Sequence, residues 1–387
     1  MRKLKIAVIG TTGLPAKYGG FETLAHHLVD HLNQEHEMTV YCSSSYFANR
    51  KNRLKEFNGA RLIYLPLNAN GYQSIIYDAV SIFHSLFYAD ALLILGISGT
   101  ILLPFIKLLS STPVIVNIDG QEWKRPKWNW IAKKFLRISE KIAVRFADTI
   151  ITDNRVLQDY VSREYKKKSA LIEYGADHVS KQKVNDIALA KYPFLASTYA
   201  FNVCRIEPEN NIHLLLEAFA RHPFWNFVIV GLWNHGTYGM MLKEKYSNYP
   251  NIYLLDPIYD QDELNVIRSN ADLYVHGHSA GGTNPSLVEA MYLGLPIMTF
   301  DVAYNRETTS HKAFYFRNAE ELIHLLNVSG KSKLEEIGKA MYEAACARYI
   351  WKNIAQLYHN EIMKLCNVPV VEFSKNTYPD LQQELAA

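Results

Sequence analysis

The sequence predicts an α/β protein of two parallel-sheet domains facing each other across a cleft. Three observations lead there. Short β-branched runs alternate with amphipathic stretches, the rhythm of βαβ units. The strand-like runs are apolar almost throughout, as in a sheet covered on both faces. The rhythm pauses at Ser180–Tyr192, a polar stretch ending in Tyr192-Pro193, and then restarts. The chain of 387 residues has room for two domains of about 150 residues each. With 49% apolar and 20% charged residues it has the apolar area that a disordered chain lacks.

In the first unit, Lys5–Ile9, Met38–Tyr41, Arg61–Leu65, Ala91–Leu95, Val114–Ile118 and Thr149–Thr152 read as strands. Helical patterns cover Phe21–Leu32 and Ser74–Tyr88, the second with Ile75, Ala79, Phe83 and Leu86 on one stripe. The run Ala91–Leu109 has membrane length, but Gly96, Gly99, Pro104 and Lys107 divide it into a buried strand and a helix from about Thr100. In the second unit the strands are Tyr199–Cys204, Phe227–Val230, Ile252–Leu255, Leu273–Val275 and Pro296–Phe300. Helices follow at about Asn211–Arg221, Gln261–Ser269 and Pro285–Leu293, and Lys331–Leu365 is helical. The expected domains are 1–180 and 195–345, then a terminal helical segment 346–366 and a loose tail from Asn367.

The net charge is only +3, so the field of the whole molecule gives no reason to expect nucleic acid. Four dispersed cysteines without a CxxC spacing suit a reducing compartment, with neither disulfide nor zinc site expected. The basic start is followed by a six-residue apolar run, too short for a signal peptide, so a cytoplasmic location is expected.

Ligands of open α/β sheets sit beyond the carboxyl ends of strands, so the residues just after strands carry the functional reading. After the first strand come Gly10, Gly13, Gly19 and Gly20 at a helix start, a loop that lets backbone approach a ligand and leaves amides free for an anion; a plain turn is the alternative. The second strand ends in Tyr41-Cys42-Ser43-Ser44-Ser45 without a carboxylate for a ribose, which argues against a dinucleotide dehydrogenase. Asp119 ends the fifth strand ahead of Gly120, where a carboxylate is either used, hydrated or tied into a turn. From Lys124 to Arg145, eight basic residues stand against the single acid Glu140, with Trp123, Trp128 and Trp130 at the start. A stripe of Ile131, Phe135, Ile138, Ile142 and Phe146 is expected to be buried, leaving the cations outward; such a face suits an anionic bilayer, a phosphate-bearing acceptor or plain solvent.

In the second unit Arg205 sits where its first strand opens, and a guanidinium fork suits a diphosphate. The richest stretch is His276–Met291. A Gly/Thr loop leads to Asn284 as N-cap and Pro285 as first helical residue, and Gly294-Leu295-Pro296 closes the helix. Glu289, one turn inside, can accept two hydroxyls of a ribose. His276 and His278 lack metal-type partners.

Five stretches together resemble the retaining glycosyltransferases of the GT-B fold in family GT4, closest to a bacterial rhamnosyltransferase-type subgroup. They are Gly10–Glu22 (GTTGLPAKYGGFE), Asp119–Trp128 (DGQEWKRPKW), Tyr174–Asp177 (YGAD), Arg205–Asn211 (RIEPENN) and Gly277–Met291 (GHSAGGTNPSLVEAM). The resemblance implies two Rossmann-like domains, with the acceptor on the first, the nucleotide sugar on the second, and the last helix, within 346–366, crossing back. It implies that Arg205 holds the donor diphosphate and Glu289, the second glutamate of an E-x7-E motif, the ribose. The first glutamate would fall at Gly281, so amides of Gly281, Gly282 and Thr283 are expected to replace its sugar contacts, with Asn284 beside them. Asn210 stands near a lysine of the family, and Gly13, Gly19 and Gly20 would flank the donor. Asp119 matches a strand-end position beside the reacting sugar and is expected to orient the acceptor. No metal or cofactor is expected. The subgroup implies transfer of L-rhamnose, with retention, from dTDP-β-L-rhamnose to a lipid-diphosphate-linked saccharide for a surface polysaccharide, with residues 123–145 meeting the inner membrane face or the acceptor. A UDP-sugar 2-epimerase and a non-catalytic sugar-nucleotide-binding subunit are the other readings.

Overall fold

The computed structural model describes residues 2–17, 19–45, 53–118, 120–125 and 128–369. Asp119 and most of the expected tail lie outside the described residues. The first domain holds β1 (Leu4–Ile9), α1 (Gly20–Leu32), β2 (His36–Ser43), β3 (Glu56–Phe57), β4 (Ala60–Leu65), α2 (Gln73–Ser85), β5 (Ala91–Leu95), α3 (Leu103–Leu109), β6 (Val114–Ile118), α4 (Trp130–Phe146), β7 (Thr149–Thr152), α5 (Arg155–Tyr165) and β8 (Ala170–Leu171). The second runs from α6 (Asp186–Lys191) through β9 (Tyr199–Val203), α7 (Ile212–Arg221), β10 (Asn226–Val230), α8 (Thr237–Tyr246), β11 (Ile252–Leu255), α9 (Gln261–Ser269), β12 (Leu273–His276), α10 (Pro285–Tyr292), β13 (Ile297–Phe300), α11 (Ala303–Thr308), β14 (Phe314–Phe316), α12 (Ala319–Val328) and α13 (Lys331–Arg348). The terminal helix α14 (Trp351–Leu365) lies back against the first domain: Tyr358 Oη accepts from Asn117 Nδ2 at 2.6 Å, and His359 meets His36 at 3.1 Å.

The first sheet has the order β3-β4-β2-β1-β5-β6-β7-β8 and the second β11-β10-β9-β12-β13-β14. Every described pairing is parallel except the short β3–β4 hairpin. Strand periodicity divides the side chains between two cores: Ile6 and Val8 face α1 and α14, while Ala7 and Ile9 face α2 to α4. Each sheet reverses direction once, between β1 and β5 and between β9 and β12. These switch points leave a crevice at the carboxyl edge, where α/β sheets bind ligands.

The structure corrects two helical stripes. In α2 the buried positions are Ser74, Tyr77, Asp78, Ser81, Ile82 and Ser85, whereas Phe83 of the expected stripe is exposed. In α4 the buried positions are Ser139, Glu140, Ala143 and Val144, while Ile131 and Ile138 are exposed. Both helices bury polar groups that find partners. Ser98 Oγ donates to Asp78 at 2.7 Å, and the Glu140 carboxylate accepts from Tyr160, Tyr165 and the Trp123 indole. Strands β3, β8 and β14, of two or three residues each, are too short to leave a periodic signal.

The interdomain linker is seated on α14. Ala176 N donates to Tyr349 O at 2.7 Å, and Trp351 N, at the start of α14, donates to Asp177 Oδ1 at 2.7 Å. Gly175 lies flat on the indole of Trp351: a Cβ there would stand 2.4 Å from Trp351 Cδ2. Gly175→Ala is therefore expected to lower unfolding free energy by about 1–3 kcal/mol, the usual cost of overpacking, measured by urea denaturation.

Candidate active site

Arg205 and the glycine loop form one rim at the second switch point. β9 and β12 are neighbours and parallel, so the segments that follow them emerge side by side. They are joined directly. Ser279 N and Oγ both donate to Glu209 O at 2.9 Å, and Asn211 Nδ2 donates to Gly277 O at 2.9 Å. Asn210, read from the sequence as a ligand contact, is buried and turned inward. Its Nδ2 donates to Arg205 O at 2.6 Å, so it shapes the loop that carries Arg205. Arg205 itself is exposed, and among the described residues nothing pairs with its guanidinium.

The loop reaches across to the first domain without bulky side chains. A Cβ on Gly120 would lie 3.0 Å from Gly281 Cα, and one on Gly282 would lie 1.9 Å from Asp153 Oδ1. Thr283 is buried; its hydroxyl donates to Asp153 O and receives Asn154 Nδ2 at 3.4 Å. Gly281 has φ +123° with open space around a notional Cβ, so its backbone conformation rather than crowding favours glycine there. Among the described residues the amides of Ala280, Gly281, Gly282 and Thr283 have no hydrogen-bond acceptor. Asn284 Oδ1 caps α10 by accepting from Ser286 N at 3.1 Å.

Two helix N-termini meet at this point. Gly20 begins α1, and a Cβ there would lie 3.5 Å from Pro285 Cγ, the first residue of α10. Both positive helix ends thus face the same crevice. The first loop is partly self-satisfied, contrary to the expectation of free amides. Glu22 accepts from Thr12 N at 2.7 Å and Thr12 Oγ1 at 2.8 Å, and a Cβ on Gly19 would strike its carboxylate. Gly13 directly follows Thr12, with φ +147°.

Glu289 is engaged by residues the sequence reading did not single out. Arg268 of α9 pairs with Oε2, and His178 Nε2 donates to Oε1 at 3.1 Å. The Trp351 indole donates to His178 Nδ1 at 3.0 Å, which fixes the tautomer that turns Nε2–H toward Glu289. His27 of α1 stacks on Trp351 with ring centroids 4.4 Å apart. Burial alone would raise the Glu289 carboxyl, but the Arg268 guanidinium and His178 outweigh it and hold it down to about 2. Burial holds His27 and His276 down to about 3. His276 and His278 stack at 4.3 Å, and His278 is depressed by burial, by His276 and by the approach of Arg205 and Arg125. Arg125, buried and paired with Glu122 at 2.8 Å, thus brings a cation of the first domain toward the same crevice. Among the described residues no cluster of His, Cys, Asp or Glu is arranged to hold a metal.

Beside the crevice, Trp123, Lys124, Arg137, Arg163 and Tyr304 line a cavity of about 370 Å³. Tyr304 Oη, from the second domain, donates to Gln121 Oε1 at 3.2 Å and closes one side. A larger hollow of about 520 Å³, at Lys181, Gly294 and Tyr342, lies by the opposite end of α10.

Residues 191–344 match the model of glycosyl transferases group 1, and residues 3–177 match a domain of unknown function, DUF1972. The chain has the GT-B fold, and its second domain carries the glycosyl transferases group 1 match. Sucrose-phosphate synthase from Thermosynechococcus elongatus superposes with a TM-score of 0.79 at 17% identity, over 94% of this chain and 99% of that one. Anabaena HepE in complex with UDP gives 0.70 at 16% identity, over 94% and 100%, and its complex with UDP-glucose gives 0.72 at 16%, over 93% and 100%. No curated protein matches the sequence. These likenesses establish the two facing Rossmann-like domains read from the sequence.

The pairing of Glu289 has a measurable signature. Its carboxyl is lower in the fold than the ordinary 4.5, so the stabilisation is complete above pH 4.5 and is lost as pH falls toward about 2. The shift corresponds to ~3 kcal/mol. Glu289→Gln is expected to destabilise the protein by about this much at neutral pH, with the deficit shrinking below pH 4.5, followed by urea denaturation across pH.

Proposed function

We propose that this protein is a glycosyltransferase of family GT4 that acts with retention and takes its sugar from a nucleoside diphosphate donor held at the second switch point. The observation that carries the reading is one crevice in which Arg205 and the amides of residues 280–283, without partners among the described residues, converge with two helix N-termini. Each of these favours negative charge, and together they suit a diphosphate leaving group without a metal. Anabaena HepE, of the same fold, is described with UDP and with UDP-glucose, which supports a nucleotide sugar as the class of donor. The resemblance of the motifs favours dTDP-β-L-rhamnose as the donor itself.

In this reading the bond from the sugar to the diphosphate breaks first and leaves an oxocarbenium-like centre. Arg205 and the loop amides take up the charge on the departing phosphate. The acceptor hydroxyl attacks from the same face, and the phosphate oxygen accepts its proton. Asp119, which follows β6, orients the acceptor. Glu289 retains acceptor capacity beyond its two partners and binds ribose hydroxyls. Asn284 fixes the direction of α10, and Thr283 ties the loop to the facing domain. The cations at Lys124, Arg137 and Arg163 suit the diphosphate of a lipid-linked acceptor beside the crevice.

The test is a panel of nucleotide sugars, with and without membrane lipid extract, followed by mass spectrometry of the nucleoside diphosphate and the lipid product. Transfer that requires the extract is expected. Donor isomerised without acceptor would identify a 2-epimerase, and binding without turnover a non-catalytic subunit. Arg205→Ala is expected to lower kcat by about 10²-fold, and undiminished transfer would remove its diphosphate role.

A further inference from the structure

We infer that the outer face of α2, α3 and α4 is the surface by which this protein sits on an anionic lipid bilayer. The three helices cover the same face of the first sheet, each sending residues into one core: Tyr77 and Ile82, Leu103 and Ile106, Ala143 and Val144. Their outward sides are apolar where a solvated helix would be polar. On α2, Ile76, Val80 and Phe83 are exposed, and Phe87 just beyond the helix is 90% exposed. On α3, Leu108 is 83% and Leu109 69% exposed. At the start of α4, Trp130 and Ile131 stand out.

The arrangement in α2 is a reversal of ordinary amphipathicity. Its serines and Asp78 are inside and satisfied: Ser81 Oγ donates to Tyr77 O at 2.8 Å, Ser85 Oγ to Ile82 O at 2.7 Å, and Ser98 to Asp78. The outer apolar residues are therefore not the leftover of a crowded core. Large apolar residues left exposed on three helices that cover one face of the sheet are the kind of surface that marks an interaction.

Charge selects the occupant. The outer side of α4 carries the exposed Lys134, Arg137, Lys141 and Arg145, Arg137 lying 3.7 Å from Glu164 of α5, and the half-buried Lys133. Among the described residues from Ala91 to Phe146 the acids are Glu122, paired with Arg125, and Glu140, buried under two tyrosines and an indole. A face of exposed apolar residues edged by cations, with its acids neutralised or hidden, complements anionic headgroups over an acyl layer. A second copy fits less well, since a two-fold contact centred here would bring like charges together. None of the described helices is long and apolar enough to cross a membrane, so the contact lies along the surface. The inference deepens the lipid-linked reading above by naming the surface that would present such an acceptor, but its test uses no sugar.

The full chain is sedimented with phosphatidylcholine vesicles, with and without phosphatidylglycerol. Binding is expected with the anionic vesicles, weakened by salt, and little with phosphatidylcholine alone. Phe87→Ser/Leu108→Ser/Leu109→Ser is expected to reduce it by about tenfold or more while thermal unfolding and donor hydrolysis stay unchanged. Lys133→Gln/Lys134→Gln is expected to weaken binding at low salt and to make it less sensitive to added salt. Failure of the wild type to bind anionic vesicles, or undiminished binding by the triple variant, would overturn the proposal. So would a dimer seen by light scattering that the triple variant abolishes, because the face would then belong to a second copy.

Discussion

One indole holds the two domains in register. Trp351 begins the helix that returns to the first domain, lies against Gly175 of the linker, stacks on His27 of α1 and donates to His178. Through His178 it is connected to Glu289 at the start of α10, on the rim of the crevice. Side chains from both domains and the linker thus share one packed point. The close passage of Gly120 by Gly281 and the bond from Thr283 to Asp153 depend on that point being fixed. A second tie, Arg348 between Glu173 and Glu307, braces the same linker from the other side. Buried ion pairs of this kind specify geometry more than they add stability.

The crevice is polarised in one sense. Its positive groups are left available: Arg205, the amides of the glycine loop and the end of α10. Among the described residues two of its acids are occupied, Glu22 by Thr12 and Glu289 by Arg268 and His178. Such a site attracts an anion without first breaking internal pairs, and its preorganised dipoles need little rearrangement as charge moves onto a leaving group.

The sheets were legible because their strands are β-branched and apolar; β5, β6, β7 and β11 begin and end where the pattern places them. The rims were legible because glycine and an N-cap signature follow a strand, as at Gly281–Pro285. Partners that meet only through the fold were not. Arg268 reads as one more cation on an amphipathic helix, and nothing in the local sequence announces that it neutralises Glu289. Asn210 has the composition of a ligand residue but spends its amide on the neighbouring carbonyl. The stripes of α2 and α4 hold in part: Leu86, Ile142 and Phe146 pack against the core, whereas Phe83, Ile131 and Ile138 look outward, because apolar periodicity reports where a helix is greasy and not which greasy residues are covered.

The histidine stacked on that indole carries one more implication. His27 stays uncharged in the fold down to about pH 3, whereas an unfolded chain takes up its proton near 6.5. Its share of stability is whole above 6.5 and drains away as acid is added between those limits. The hinge keeps its geometry through mild acidification, yet each proton offered draws the equilibrium toward the open chain. The joint between the lobes thus yields to acid alongside the buried His276 and His278 at the crevice, which burial depresses in the same way.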